Sequence, residues 1–140
     1  MSELKNELSL RNEYYLPRHR YLELKHFCLQ YKDWEKELKY ASFLRSSSFI
    51  SGVGLKDGRN LSKTEAIVIL QERATKNITL IHDAMKATTS DKESQLMLYE
   101  GITTGSPYDK MMARGCLPVL SRSAYYKLYR RFFWELSQIR

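Results

Sequence analysis

The final stretch of the chain carries side chains that could bind a polyanion. These residues are Arg122, Ser123, Lys127, Arg130 and Arg131. At about 100° per residue they fall on or beside one face of a helix. Arginine and lysine grouped in this way bind phosphates, because each neutralised phosphate releases condensed counterions. The pattern therefore predicts contact with nucleic acid.

The positive charge of the chain is concentrated near this stretch. Lys and Arg outnumber Asp and Glu by seven to two over residues 106–140, by nine to seven over residues 1–45, and not at all over residues 46–105. A membrane surface would also attract such charge, but the apolar side of the same helix is needed for the core. We therefore expect double-stranded DNA as the partner, and no membrane.

Residues for catalysis or metal binding show no recognisable pattern. His19, His26 and His82 are scattered, and no carboxylate or cysteine pattern completes a metal site around them. Cys28 and Cys116 lie outside any CxxC spacing, which favours reduced core thiols over a disulfide framework or a zinc knuckle. We predict no catalytic residues, no metal and no cofactor, and hence a protein that is not an enzyme.

The overall composition is that of one folded domain. The chain of 140 residues is 43% hydrophobic and 28% charged. It contains no apolar run near the length that spans a membrane and no signal-peptide pattern. These features predict a cytoplasmic protein.

A helix over residues 121–140 must position the basic side chains. Ser121 can cap its first turn by accepting a hydrogen bond from an unpaired backbone N–H group. Apolar residues at three- and four-residue spacing predict a buried stripe. The stripe consists of Tyr125, Leu128, Tyr129, Phe132, Leu136 and Ile139. Trp134 falls on the outward side and Tyr126 at its edge.

The residues before this helix complete the outline of a helix-turn-helix. Ser106 is the expected N-cap, and Pro107 occupies the first helical position. Residues 108–114 are expected to continue this short helix, which Gly115 would end in a left-handed conformation. A turn over residues 115–120 then leads to the capped final helix. Lys110 and Arg114, on the short helix, would add contacts to a DNA backbone.

The rest of the chain predicts further helices and one long loop. We expect a loose helix over residues 1–13 and helices over about 18–31, 34–45, 63–88 and 92–103. Asp33 is the expected cap of the second of these four, and the Ser62–Glu65 and Ser90–Glu93 patterns are the expected capping boxes of the last two. Leu96, Tyr99 and Ile102 would share the inward face of the 92–103 helix.

These elements define the expected architecture. The fold class is all-α, with about six helices and a long central one. Residues 1–45 would form an N-terminal helical hairpin, residues 46–61 a flexible linker, and residues 62–140 a helical domain that ends in the helix-turn-helix. A short β-turn excursion around Asp57 and Gly58 is the alternative for the linker.

The C-terminal pattern resembles a known family. Ser121, Tyr125, Tyr126, Arg130, Arg131 and Phe132 carry the resemblance. Over about residues 91–140 the chain is similar to the small ArpU/RinA-like phage transcription regulators of Firmicutes, whose C-terminal unit is similar to region four of bacterial sigma factors. The resemblance implies a helix-turn-helix that touches promoter DNA. The N-terminal stretch LPRHRYLELKHFCLQY is similar to uncharacterised clostridial prophage proteins.

Two functional hypotheses follow. In the first, the chain is a phage or prophage DNA-binding transcriptional regulator, with Arg122, Ser123, Tyr126 and Lys127 near base edges and Arg130 and Arg131 on phosphates. In the second, it is a small phage protein that binds and inhibits a host protein or protein–RNA machine, for example an anti-CRISPR protein. Trp134 and Tyr126 would then anchor the interface, and Trp134 could also serve a homodimer.

Overall fold

Every regular element in the described part of the chain is an α-helix. The computed structural model describes residues 13–46, 59–115 and 120–140. The helices are α1 (Arg18–Leu29), α2 (Tyr31–Ser46), α3 (Arg59–Thr88), α4 (Lys92–Thr104), α5 (Tyr108–Ala113) and α6 (Arg122–Ile139). The prediction of an all-α fold with about six helices and a long central helix is confirmed.

The chain divides into two compact units. One combines Met1–Gln30 with Leu80–Arg140, and the other is Tyr31–Thr79. This division differs from the predicted segments, which ended at residue 45 and resumed at residue 62. Because the boundary falls at the α1–α2 junction, α1 and α2 belong to separate units.

The first unit has a core made by three helices. Helix α1 packs against α4 and α6, and α4 packs against α6. Tyr21, Leu24 and Cys28 of α1 are buried, as their helical spacing predicts. Burial of large apolar side chains is the main source of stability for such a core. The largest fully buried side chains are Tyr125, Phe132, Phe133, Leu24, Ile81, Leu98, Met111, Leu136 and Cys28.

The second unit contains α2 and the first part of α3. Trp34, Ala41 and Ala74 are buried there. An ion pair joins the two helices, with Arg73 Nη2 lying 3.7 Å from Glu37 Oε1.

Two helices begin earlier than predicted. Helix α2 begins at Tyr31, so Asp33 lies in the first turn instead of capping it. Helix α3 begins at Arg59, so Ser62 lies inside it and the predicted capping box is not used. The sequence from Arg59 to Thr88 contains no glycine or proline that would end a helix. The predicted linker is therefore helical at residues 46 and 59–61, and its remainder lies outside the described residues.

The N-cap of helix α4, and part of its inward face, differ from the prediction. Its N-cap is Asp91, one residue later than the predicted Ser90, and the Asp91 side chain accepts a hydrogen bond from the backbone N–H of Ser94. Leu96 is 69% exposed, whereas Met97 and Leu98 are buried. Ile102 and Thr103 are buried, as the predicted face requires, so the prediction is confirmed there and wrong at Leu96, because α1 and α6 pack on the side that carries Met97 and Leu98.

Helix α5 also begins one residue later than predicted. Its N-cap is Pro107, with no side-chain hydrogen bond to the helix. Ser106 is buried, and its hydroxyl accepts a hydrogen bond from Arg114 Nη2 at 2.9 Å. The Ser106 hydroxyl thus binds the Arg114 side chain and does not accept a hydrogen bond from a backbone N–H of the first turn of α5. Gly115 has φ 85°, so the predicted left-handed stop is confirmed. The predicted loose N-terminal helix, except for residue 13, and residues 116–119 of the turn lie outside the described residues.

Candidate nucleic-acid interface

The start of α6 is fixed by its cap. Ser121 Oγ accepts a hydrogen bond from the backbone N–H of Ala124 at 3.2 Å, as predicted. An N-terminal cap of this type satisfies a donor that the first turn leaves unpaired. The cap therefore defines where the side chains of the first two turns of α6 are presented.

Helix α5 is attached to the first turns of α6 through tyrosines. The backbone N–H of Tyr108 donates to the Tyr126 hydroxyl at 3.1 Å, and the Tyr108 hydroxyl donates to the carbonyl of Leu120 at 2.8 Å. The rings of Tyr108 and Tyr125 lie 5.8 Å apart. These contacts hold the short helix against the long one.

A layer of aromatic side chains supports α6 from behind. Tyr125 is fully buried, and Tyr129 shares a hydrogen bond with Tyr21 of α1, the two hydroxyl oxygens lying 2.9 Å apart. Edge-to-face contacts continue through Tyr129 and Phe133, whose ring centroids are 4.9 Å apart. Such ring pairs stabilise a core beyond the burial of apolar surface, and they favour one relative orientation of the rings. The side of α6 opposite its outward face is thus packed in the core.

The predicted buried stripe of α6 is mostly confirmed. Tyr125, Tyr129, Phe132 and Leu136 are buried, and Leu128 is half-buried. Ile139 is 46% exposed, because it is the last residue of the helix and extends past the core.

Tyr126 was wrongly placed on the outward edge. It is 8% exposed, and its hydroxyl accepts the Tyr108 N–H described above. Its position on the α5 side of α6 explains this burial, since α5 covers that side. Tyr126 therefore packs α6 against α5 and leaves little of its surface for a base or a protein partner.

Five of the predicted contact residues are exposed on α5, its C-terminal end and α6, and three of these five form no ion pair with a described carboxylate. These three are Lys110, Ser123 and Lys127. No carboxylate of the described residues lies within ion-pair distance of the two lysines. These ammonium groups are therefore available to an anionic ligand without first breaking an ion pair.

Two of the predicted arginines form ion pairs close to α5. Arg114 Nη2 lies 3.5 Å from Glu100 Oε1, in addition to its hydrogen bond to Ser106. Arg122 Nη1 lies 2.9 Å from Asp109 Oδ2, and the guanidinium of Arg122 lies 6.0 Å from the centre of the Tyr126 ring. Arg114 is thus tied to α4, whereas Arg122 bridges α6 and α5.

The segment before α1 contacts the second half of the outward face of α6. The Tyr14 ring packs edge-to-face on Trp134 at 5.6 Å, and Arg131 lies 6.0 Å from the centre of the same Tyr14 ring. Arg131 Nε also lies 3.7 Å from Glu135 Oε1. Arg130 is half-buried and lines a small crevice whose other walls include Leu16. The residues predicted for phosphate binding in this half are therefore less open than Lys127.

Sequence reasoning missed two residues of this surface and one anchor. Asp109 and Tyr14 contact the basic face, but their partners are distant in sequence and no local pattern predicts them. Arg140 Nη1 lies 2.9 Å from Glu23 Oε1, and its guanidinium lies 4.1 Å from the centre of the Phe27 ring. The last residue of the chain therefore ties the end of α6 to α1.

Other chemistry is limited among the described residues. No group of His, Cys, Asp and Glu in residues 13–46, 59–115 and 120–140 could hold a metal ion. Cys28 is buried, as predicted, and burial raises the pKa of its thiol above the ordinary value. Cys116 lies outside the described residues. None of the helices in the described ranges is both long enough and apolar enough to cross a bilayer.

Comparisons with protein-family models, with curated proteins and with solved structures find no match for this chain. The arrangement of the described surface is therefore what supports a functional proposal.

Proposed function

We propose that the chain is a cytoplasmic, non-enzymatic protein that binds double-stranded DNA through α5 and the first half of α6 and thereby regulates transcription in a phage or prophage. The observation that carries the proposal is the placement of Lys110, Ser123 and Lys127 on exposed positions of two helices that are fixed to each other. The resemblance of the C-terminal residues to phage transcription regulators is what favours transcription as the purpose of binding.

The expected docking geometry follows from the helix arrangement. In a helix-turn-helix the second helix enters the major groove with its N-terminal residues at the base edges, while the first helix crosses the backbone. Ser123 and Lys127 of α6 then face the groove, and Lys110 of α5 faces phosphates. Because Tyr14 contacts the second half of α6, Arg130 and Arg131 contact phosphates only at the margin of this surface.

The ion pairs on this surface do not oppose binding strongly. Arg114 and Arg122 pair with carboxylates at exposed positions, and exposed pairs contribute about 0–1 kcal/mol. A phosphate can therefore compete with Glu100 for the Arg114 guanidinium, whereas the pair between Arg122 and Asp109 can persist in the complex. Lys110 and Lys127 need no such exchange, so they should dominate the electrostatic part of binding.

The proposal is tested by the salt dependence of binding to random-sequence duplex DNA. Lys127→Ala should weaken binding to all sequences alike and reduce the slope of log affinity against log salt by about 1, because one phosphate contact is lost. Lys110→Ala should do the same. Fluorescence anisotropy across a salt series measures both quantities.

Lys86→Ala is the matched control, because it removes an exposed lysine from α3 and should leave the slope unchanged. Equal slopes for the wild-type protein and for the Lys110 and Lys127 variants would contradict the proposal.

The alternative function is inhibition of a host protein or a protein–RNA machine, as by an anti-CRISPR protein. Trp134 supports it, because part of this side chain reaches the surface beside Tyr14 and tryptophan is enriched among residues that dominate interfaces. Trp134 could equally serve a homodimer. Failure of the wild-type protein to bind random duplex DNA at low salt would favour this alternative over DNA binding.

A further inference from the structure

The ion pair between Arg122 and Asp109 lies within the proposed DNA-binding surface. It places a carboxylate there, which a phosphate-binding site would not be expected to contain. Asp109 is 72% exposed and Arg122 48% exposed, so a carboxylate stands open to solvent next to Lys110 and Arg122. A carboxylate repels phosphates. Asp109 therefore does not itself bind the backbone, and its carboxylate is directed to Arg122 at the start of α6, the helix that would enter the groove.

The geometry around Arg122 holds its guanidinium in one orientation. The 2.9 Å distance between Arg122 Nη1 and Asp109 Oδ2 is that of a charge-assisted hydrogen bond. The Tyr126 ring flanks the guanidinium, and the backbone of α5 in turn holds the Tyr126 hydroxyl. An arginine oriented in this way loses less side-chain freedom when it binds a ligand than a mobile one does.

An oriented guanidinium is suited to a base and not needed for a phosphate. Two parallel N–H donors of arginine match the O6 and N7 acceptors of guanine in the major groove, which is the commonest specific contact between proteins and DNA. A phosphate can also accept both donors, but lysine binds it as a point charge, so the paired donors of arginine determine sequence preference only at a base edge. Arg122 is also the first residue of α6, at the end of a recognition helix that meets base edges.

We infer that Asp109 is a positioning residue that orients Arg122 for bidentate recognition of a guanine in the major groove. This inference rests on the proposed function. Asp109 and Arg122 together determine sequence preference, whereas Lys110 and Lys127 supply affinity that is independent of sequence.

The test is selection from a pool of duplexes with a randomised central segment, followed by sequencing of the bound fraction. Duplexes selected by the wild-type protein should share a guanine at one fixed position of each site. Arg122→Lys keeps the charge but loses the two-pronged donor arrangement, and Asp109→Asn keeps the shape but loses the charge. Each change should reduce the preference for that guanine by roughly tenfold, in line with the discrimination of a bidentate contact.

Neither substitution should weaken binding to the unselected pool, whereas the loss of a phosphate contact would weaken it. Asp109→Asn should strengthen binding to the unselected pool at low salt, because a repulsive carboxylate is removed, and Arg122→Lys should leave it nearly unchanged. Asp83→Asn is the matched control, since it removes an exposed carboxylate from α3 and should alter neither quantity. Circular dichroism and thermal melting confirm that each variant is folded.

Guanine preference that survives in both folded variants would overturn the role of Asp109 and Arg122. A wild-type protein that binds the unselected pool but selects no base would overturn this inference and leave the proposed function standing. A wild-type protein that does not bind the unselected pool at low salt would overturn both.

Discussion

Gly101 is the residue of α4 that lies against Tyr125 of α6. A Cβ atom at position 101 would come within 1.8 Å of the Tyr125 hydroxyl oxygen and 3.4 Å of the Met111 side chain. Tyr125 is fully buried, so its ring has little room to move away. Absence of a side chain at Gly101 is therefore a condition for the packing of α4 on α6.

Gly101→Ala should destabilise the protein even though alanine favours helices. The gain in helix propensity is about 1 kcal/mol, whereas overpacking of a core costs about 1–3 kcal/mol. We expect a net loss of up to about 2 kcal/mol in the free energy of unfolding, measured by urea denaturation.

A second substitution tests the cause of this loss. Tyr125→Phe removes the hydroxyl group that the new methyl group would meet, so Gly101→Ala should cost less when combined with Tyr125→Phe than in the wild-type protein. Equal stability of Gly101→Ala and wild type would contradict the packing account, as would an equal cost in both backgrounds.

At the scale of the element, the cap of α4 depends on pH. The Ser94 hydroxyl donates to Asp91 Oδ2, and the Ser94 backbone N–H donates to the same oxygen. These hydrogen bonds, that of the hydroxyl first, lower the pKa of the Asp91 carboxyl from its ordinary value. A carboxyl with a lowered pKa in the folded chain stabilises it at neutral pH, and this contribution is lost as the pH falls through the folded-state pKa.

Asp91→Ala should therefore lower the melting temperature at pH 7, and the difference from wild type should shrink as the pH falls below about 4, the pKa of an unperturbed aspartate. Thermal melts followed by circular dichroism between acidic and neutral pH measure this difference. Ser94→Ala is the control, because it removes the hydroxyl donor and keeps the backbone donor. A difference between Asp91→Ala and wild type that does not vary with pH would contradict the cap.

Helical periodicity predicted the elements well, because most helix positions are decided by local spacing and by breakers. The repeat of Tyr125, Tyr129, Phe132 and Leu136 predicted the buried face of α6, and Gly115 the end of the helix before it. Tyr126 and Phe133 were missed as buried residues, because α5 and α1 cover the sides on which they lie and sequence spacing contains no information on these neighbours.

Helix starts were predicted less well than helix faces. The Ser62 and Ser90 patterns have the residue types of capping boxes, but a serine can also be accommodated within a helix at small cost. No nearby residue forced α3 to begin at Ser62, and Asp91 competes with Ser90 for the same role. Local sequence therefore located the helices to within a few residues and not their caps.

The distribution of charge along the whole molecule can be predicted from the sequence, but the partners in each ion pair cannot. The excess of Lys and Arg over residues 106–140 is visible in the sequence. The pairing of Arg122 with Asp109, 13 residues away, and of Arg140 with Glu23, 117 residues away, depends on the packing of helices. The structure thus separates exposed lysines from arginines that already have partners.

DNA binding by α5 and α6 requires that their exposed lysines contact phosphates. The most direct measurement is the affinity of the wild-type protein for a random-sequence duplex as a function of salt concentration. We predict binding at about 50 mM salt and a log–log slope of about −2 or steeper, because Lys110 and Lys127 each neutralise a phosphate. A slope near zero, or no binding at this salt concentration, would contradict the account.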